Sequence, residues 1–233
     1  MPLIIAVRNR DVNRAKFLVQ SCGASVNMPD RDGITPLSHA VIERNVEMVK
    51  VLVQNGAKVD AADNYGFTPL MEASAGRYLE VVKVLVENLN DPKDIDDLIT
   101  PAHRFHRPGA DYDWTALMIA AEVEDLEIIR ILLKGGAKEG YDRILLIVIE
   151  TKKKDLFKTV IEAADKALLR IAIKADEEEL LRTAIEANNG DVVDFLAERM
   201  SYEAFRRMFF SWKSTPERTS EIRRILYRHM ESK

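Results

Sequence analysis

Apolar residues along this chain fall into short runs with helical spacing, separated by polar turns. One run follows Thr35-Pro36, where threonine suits a helix N-cap and proline suits the first turn, whose backbone N–H groups have no partner within the helix. A second, more hydrophobic run from Val46 to Val53 stops before Gly56, a residue that readily adopts the left-handed conformation that ends helices. The pattern predicts two short helices joined by a turn near Asn45.

This pattern recurs along the first part of the chain. The stretches Asp30 to Asp60, Asp63 to Asn88 and Asp111 to Lys138 superimpose almost without gaps, and Asp30 and Asp63 are 33 residues apart. A single helix pair of this kind cannot bury its apolar face. We therefore expect tandem pairs that stack and complete a shared core.

The repeats resemble the ankyrin repeat family through motifs that recur together at fixed spacing. These are Gly33-Ile34-Thr35-Pro36-Leu37, Gly66-Phe67-Thr68-Pro69-Leu70, Thr115-Ala116-Leu117, Gly56-Ala57 and Gly136-Ala137. The resemblance implies an all-α fold, an ankyrin repeat solenoid of stacked helix-turn-helix pairs with β-turn fingers. It is strong over residues 1–140 and weak over 140–200.

The expected organisation is a single ankyrin repeat domain over residues 1–233. Its parts are an N-terminal capping repeat at 1–27, regular repeats at 28–138 with an insertion at 91–110, degenerate repeats at 139–200 and a helical C-terminal cap at 201–233. The capping repeat lacks a turn segment and carries an extra residue before Gly23. Such atypical ends are common in repeat arrays.

Two registers fit the helices between residues 140 and 200. One pairs 145–149 with 155–161 and 168–173 with 179–185; the other makes 181–185 a first helix and 191–196 a second. The sequence leaves both open. Further helices are expected from Ser201 to Trp212 and near Ile222 to Met230.

Composition and charge narrow the class of protein. The net charge of -4 is too small to indicate a polyanion partner, although residues 201–233 carry eight basic and four acidic side chains. The apolar run Leu3 to Val7 is too short for a signal peptide or a membrane span. The single cysteine, Cys22, excludes an internal disulfide and is expected to pack against its neighbours. We therefore expect a cytoplasmic protein, with a secreted effector as the alternative.

The motifs that carry common chemistry are missing from the sequence. It has no phosphate-binding GxxxxGK[ST] loop, no GxGxxG, no GxSxG and no HExxH. His103 and His106 in the insertion have the spacing of a helical metal site, but no Cys, Asp or Glu follows closely to complete a ligand set. We expect no enzyme activity, no cofactor, no metal and no small-molecule substrate.

Ankyrin repeat proteins bind partners through the finger tips and the exposed sides of the first helices, which together form a concave face. Transferred by position, this implies the partner-binding residues Arg31, Asp32, Ile34, Asn64, Tyr65, Phe67, Asp111, Tyr112, Trp114 and Glu122. Their aromatic rings are of the types enriched at interface hot spots. An alternative is that Phe67 and Trp114 pack within their own fingers or under the insertion. The insertion either covers the aromatic cluster or extends the binding site with Arg104, Phe105 and Arg107.

Some positions depart from the family pattern. The histidine that commonly follows Thr-Pro-Leu is replaced by Ser38, Met71 and Met118, so its hydrogen bonds between neighbouring loops are expected to be absent. Asp113 stands where a turn glycine is usual, which predicts a reshaped fourth finger.

The resemblance predicts a non-enzymatic protein–protein interaction module with a protein partner, acting as an inhibitor, immunity protein, adaptor or effector. The alternative is binding to nucleic acid or a membrane surface through the basic C-terminal tail. That tail contains Tyr202, Phe205, Met208, Phe209, Phe210 and Trp212, which either seal the last repeat or form a second docking surface. Nucleic acid is not the expected partner, because the body of the protein is acidic.

Overall fold

The structure is a computed structural model in which residues 2–89, 95–96, 114–138, 141, 144–145, 156, 159–161, 177–186, 190–203, 205–207 and 220–232 are described. The chain divides into two compact units, Met1–Glu139 and Gly140–Lys233. The predicted capping repeat and regular repeats, residues 1–138, lie within the first unit. Both units are helical, as the all-α prediction requires.

The first unit contains four helix pairs. They are α1 (Pro2–Arg8) with α2 (Val12–Gln20), α3 (Pro36–Ile42) with α4 (Val46–Gln54), α5 (Pro69–Ala75) with α6 (Leu79–Glu87), and α7 (Ala116–Glu122) with α8 (Leu126–Lys134). Within each pair the two helices pack against each other. The turn between α3 and α4 lies at the predicted position near Asn45.

Side-chain caps define where most of these helices begin. The hydroxyls of Thr35, Thr68 and Thr115 accept hydrogen bonds from the backbone N–H three residues later, at the starts of α3, α5 and α7. Side chains of Asp11, Asn45 and Asp125 do the same for α2, α4 and α8. Each cap satisfies a backbone donor that has no partner inside the helix. The predicted Thr-Pro start is confirmed for α3 and α5.

The pairs stack in two rows. The first helices form the row α1, α3, α5, α7, and the second helices form the row α2, α4, α6, α8, with neighbours in contact throughout. Leu37, Leu52, Leu85 and Leu117 are among the fully buried side chains between them. The stacking of α7 on α5 continues although Thr68 and Thr115 are 47 residues apart, against 33 for Thr35 and Thr68. The inserted residues therefore leave the stack intact.

The turn that joins the two helices of each pair contains a residue that sequence analysis did not identify as unusual. Arg10, Arg44, Arg77 and Glu124 have φ between 53° and 59°. This left-handed conformation costs free energy for residues that have a Cβ. The helix-ending glycine is as predicted, since Gly56 has φ 85°.

The second unit is described through α9 (Glu177–Glu186), α10 (Gly190–Arg199) and α11 (Ser220–Ser232). Helix α10 packs against both α9 and α11. Helix α9 contains residues 179–185 of the first predicted register and 181–185 of the second, and residues 168–173 lie outside the described residues, so both registers remain predictions. Helix α11 covers the helix expected near Ile222 to Met230. The Nε2 atom of buried His229 lies 2.7 Å from Oδ1 of Asp194 and ties α11 to α10.

Within the described ranges, every helix is too short or too polar to cross a membrane.

Candidate partner-binding surface

Two neighbouring turns of the first unit are closed by an aspartate at their base. We call residues 30–34 finger A and residues 63–67 finger B. In finger A, Oδ1 of Asp30 accepts hydrogen bonds of 3.0 Å from the N–H groups of Asp32 and Ile34. In finger B, Oδ1 of Asp63 accepts the equivalent two at 2.9 Å. Each finger is therefore held in one shape by its own backbone and one carboxylate.

Asn64 connects the two fingers. Its backbone N–H donates to the carbonyl of Asp32, and its side-chain Nδ2 donates to the carbonyl of Arg31, both at 3.0 Å. A hydrogen bond between adjacent loops was expected to be missing, because the usual histidine is replaced by Ser38. The structure places Asn64 in that bridging role, and Ser38 instead bonds the hydroxyl of Thr35 at 3.0 Å.

Finger A has a second support. The Nε2 atom of His39, on α3, lies 2.8 Å from Oδ2 of Asp30. Burial opposes ionisation of Asp30, but the hydrogen bonds from His39 and from the N–H groups of Ile34 and Asp32 outweigh it, so the pKa of Asp30 lies below its ordinary value. His39 was not singled out from the sequence. Its position two residues after Leu37, on the exposed side of α3, is the feature of the sequence that could have identified it.

The fingers present a mixed surface of charged, polar and aromatic groups. Arg31, Asp32, Asn64 and Tyr65 are exposed, and the side chain of Tyr65 is 51% exposed. Ile34 and Glu122 are half-buried. Because Asn64 joins the two fingers, Arg31, Asp32, Asn64 and Tyr65 lie on one continuous surface.

Phe67 and Trp114 do not contribute to that surface. Both are only 5% exposed, which agrees with the alternative that they are packed rather than presented to a partner. Each immediately precedes the threonine cap of a first helix, where hydrophobic residues commonly pack onto the helix start. The position directly before a capping threonine is therefore the feature of the sequence that indicates burial of Phe67 and Trp114. Asp111 and Tyr112, and with them Asp113 and most of the insertion, lie outside the described residues.

Two residues from the range predicted as an insertion occupy regular repeat positions. Ile95 is buried close to Gly135 at the end of α8, and the carboxylate of Asp96 accepts the backbone N–H of Lys138 at 2.9 Å. Asn27 forms the same bond with the N–H of Lys58 two repeats earlier, at 2.8 Å. Ile95 and Asp96 therefore hold their part of the chain against the end of α8 and the residues that follow it.

The exposed side of the first helices lies beside the fingers. On α3 this side carries His39, whose side chain is half-buried, and Ile42, which is exposed. On α5 the equivalent positions are Glu72 and Ala75, both half-buried. This face therefore combines one exposed aliphatic residue with titratable groups.

The turn at the opposite end of the helices is reinforced between repeats. The Arg44 guanidinium lies 4.6 Å from the centre of the Tyr78 ring in the next repeat, and Arg77 pairs with Asp125 in the repeat after that, at 3.3 Å. Tyr78 is the N-cap residue of α6 but makes no side-chain cap hydrogen bond, and its ring lies directly over Gly76. Two of the four residues with left-handed backbone in these turns, Arg44 and Arg77, thus contact the following repeat.

The remaining candidate groups are placed as follows. Cys22 is exposed, so the expectation that it packs is wrong: it is the extra residue between the end of α2 and Gly23 and does not enter the core. Phe205 is buried and Tyr202 is exposed, while Met208, Phe209, Phe210 and Trp212 lie outside the described residues. His103 and His106 also lie outside them, and the described residues contain no cluster that could hold a metal ion.

Comparison with known families assigns most of this architecture. A family model described as ankyrin repeats in three copies matches residues 3–97, and a model of a single ankyrin repeat matches residues 112–139. The two matches together cover more than half of the 233 residues. No curated protein matches the sequence.

Proposed function

The chain belongs to the ankyrin repeat family, and from this premise we propose that it binds one protein partner through fingers A and B and the exposed side of α3, α5 and α7. Ankyrin repeats are generally protein–protein interaction modules, and proteins built from them are typically non-enzymatic. Such a module acts as an inhibitor, immunity protein, adaptor or effector by occupying a surface of its partner.

The observation that carries this proposal is the bridge from Asn64 to finger A. Two hydrogen bonds fix finger B against finger A, and both fingers are closed by their own aspartates. Little conformational entropy is then lost when a partner orders this surface, and preorganisation of this kind raises affinity. The tip of finger B presents Tyr65, a residue type that contributes strongly at interfaces because its ring excludes water while its hydroxyl can still hydrogen-bond.

The surface also indicates the character of the partner. Arg31 and Asp32 offer one positive and one negative group on adjacent positions, and Asn64 and Tyr65 are neutral. A mixed surface of this kind favours a folded protein with complementary polar groups and an apolar pocket for the Tyr65 ring. The proposed site comprises Arg31, Asp32, Ile34, Asn64, Tyr65 and Glu122, and the resemblance to the family adds Asp111 and Tyr112, which lie outside the described residues.

Replacement of Tyr65 by alanine tests the proposal. We expect Tyr65→Ala to weaken partner binding by about 2 kcal/mol, the usual cost of truncating an aromatic hot spot. The matched control is Tyr202→Ala, because Tyr202 is also an exposed tyrosine, at 44%, but belongs to the second unit. The protein and both variants are expressed in the native organism and what co-purifies is quantified by mass spectrometry. Recovery that falls with Tyr202→Ala and not with Tyr65→Ala would refute the assignment to the fingers.

A further inference from the structure

The last residues of the four first helices form a row whose charge changes from one end to the other. Each stands five positions after the buried leucine of its helix, and they are Arg8 on α1, Ile42 on α3, Ala75 on α5 and Glu122 on α7. Neighbouring first helices are in contact, so the four residues follow one another along the stack. The row therefore begins with a positive residue, continues through two apolar residues and ends with a negative one.

The two charged ends of the row are available to a partner. Arg8 is exposed and Glu122 is half-buried. Within the part of the chain that the structure describes, neither the guanidinium of Arg8 nor the carboxylate of Glu122 forms an ion pair. A bound protein can therefore pair with both charges without breaking an existing contact.

The middle of the row is apolar, with polar groups along one side of it. Ile42 is 40% exposed, and Ala75 beside it is small and half-buried. Three residues earlier on the same helices are His39, which already pairs with Asp30 at 2.8 Å, and the half-buried Glu72. A partner segment with an apolar stripe and a polar edge matches this arrangement.

The ends of the row are too far apart to neutralise each other. Packed helices lie about 8–10 Å apart, so the three steps from α1 to α7 span about 24–30 Å. Charges exposed to water are screened over about 8 Å at physiological ionic strength. Each end of the row therefore attracts its own opposite charge, and the two ends together favour one orientation of a bound segment.

We propose that the partner segment held by this row is an amphipathic helix with acidic residues over α1 and basic residues over α7. This inference rests on the proposed function and extends that surface onto α1. The backbone groups of the first helices are hydrogen-bonded within the helices, so the row offers side chains and no strand edge. A helix needs no backbone partner, and about 16–20 residues of it span the row.

The probes are two helical peptides of about 18 residues with the same composition. One has glutamates at its N-terminal end, an alanine and leucine stripe in the middle and lysines at its C-terminal end, and the other has the same charges intermixed. Fluorescence titrations with the full chain are expected to give at least about fivefold tighter binding of the segregated peptide, because each exposed ion pair contributes up to about fivefold. Equal binding of the two peptides, or no binding of either, overturns the proposal.

The single cysteine reports the orientation of the bound peptide. Cys22 is exposed and follows α2, which packs on α1 of the same repeat, so an acceptor dye on its thiol marks the α1 end of the row. A donor dye on the acidic end of the segregated peptide should transfer more energy to this acceptor than a donor on the basic end. Equal transfer from the two ends contradicts a fixed orientation.

Exchanging the two charges should turn the peptide round. The double variant Arg8→Glu with Glu122→Arg is expected to bind the segregated peptide as tightly as the original chain, with the larger energy transfer now from the basic end. The matched control is Arg14→Glu with Glu127→Arg, because it makes the same charge exchange at exposed positions of α2 and α8. The control should keep the original orientation, and far-ultraviolet circular dichroism checks the folding of both variants.

An unchanged orientation in the double variant, or loss of binding while its helical signal is intact, refutes the assignment to this row. A reversal that the control also shows refutes it equally. These outcomes do not depend on the natural partner, whereas the comparison of Tyr65→Ala with Tyr202→Ala does. Failure of the helix proposal and failure of the proposed function are therefore distinguishable.

Discussion

Adding a methyl group at Gly33, by the substitution Gly33→Ala, tests how fingers A and B are held together. Its φ of 81° lies in the left-handed region, and a Cβ built on it would lie 2.6 Å from the backbone nitrogen and 2.5 Å from Oδ1 of Asn64. Gly56 has a similar φ of 85°, but a Cβ there would meet nothing within 4 Å. Gly33→Ala therefore combines backbone strain with a collision between fingers, whereas Gly56→Ala has the strain alone.

The two substitutions should differ in magnitude. Left-handed backbone costs a residue with a Cβ about 1–2 kcal/mol, and this cost applies to both alanines. In Gly33→Ala the finger of Asn64 must also move, which weakens its hydrogen bonds to the carbonyls of Arg31 and Asp32, each contributing about 1 kcal/mol. We therefore expect Gly33→Ala to lower the free energy of unfolding by about 3 kcal/mol and Gly56→Ala by about 1 kcal/mol.

Urea unfolding followed by circular dichroism measures both losses. The effect of alanine on the unfolded chain is the same in the two variants and cancels in the comparison. Since neighbouring repeats contribute interface terms to stability, the excess loss in Gly33→Ala reports the contact between fingers A and B. Equal losses for the two variants would show that the collision does not occur and that the fingers are not joined through Asn64.

Further predictions concern the base of the fingers and the opposite turn. Because the pKa of Asp30 lies below its ordinary value of 3.8, the ionised carboxylate stabilises the folded protein at pH values above 3.8. This contribution is lost as the pH falls through the lowered pKa. Asp30→Asn should therefore destabilise the protein at neutral pH and flatten the loss of stability in acid, as measured by urea unfolding at several pH values. In Asp63→Asn the amide Oδ1 can still accept the two equivalent backbone N–H groups, and the position that corresponds to His39 is Glu72. This variant should therefore lose less stability at neutral pH than Asp30→Asn, and an equally large loss would contradict the role of the histidine. Gly76→Ala should lower the free energy of unfolding by about 1–3 kcal/mol, because the new Cβ would lie 2.2 Å from the Tyr78 ring. If the double variant that also carries Tyr78→Asn regains this stability, the ring is the cause of the loss. If the stability is not regained, the ring is excluded as the cause.

The local signals in the sequence were sufficient for the helix pairs. Thr35 and Thr68 cap the helices that they were expected to cap, and Gly56 ends α4 in the left-handed conformation. These features depend on a few adjacent residues, and the same residues recur at the same positions in several repeats. For that reason the fold of the first unit could be predicted from the sequence.

The binding surface depended on contacts that the sequence does not display. Tyr65 and Phe67 are two residues apart on the same finger, yet one is exposed and the other buried, because the chain turns between them. The bridge from Asn64 to finger A joins residues 33 positions apart in sequence. The guanidinium of Arg44, a residue with left-handed backbone, lies over the ring of Tyr78 in the next repeat, 34 residues later in the sequence.

Hydrogen exchange of the protein bound to its co-purified partner tests the central claim most directly. The N–H groups of fingers A and B, residues 30–34 and 63–67, should exchange more slowly in the complex than in the free protein. Exchange in α10 of the second unit should be the same in both. Unchanged exchange in both fingers, with protection elsewhere, would contradict binding through this surface.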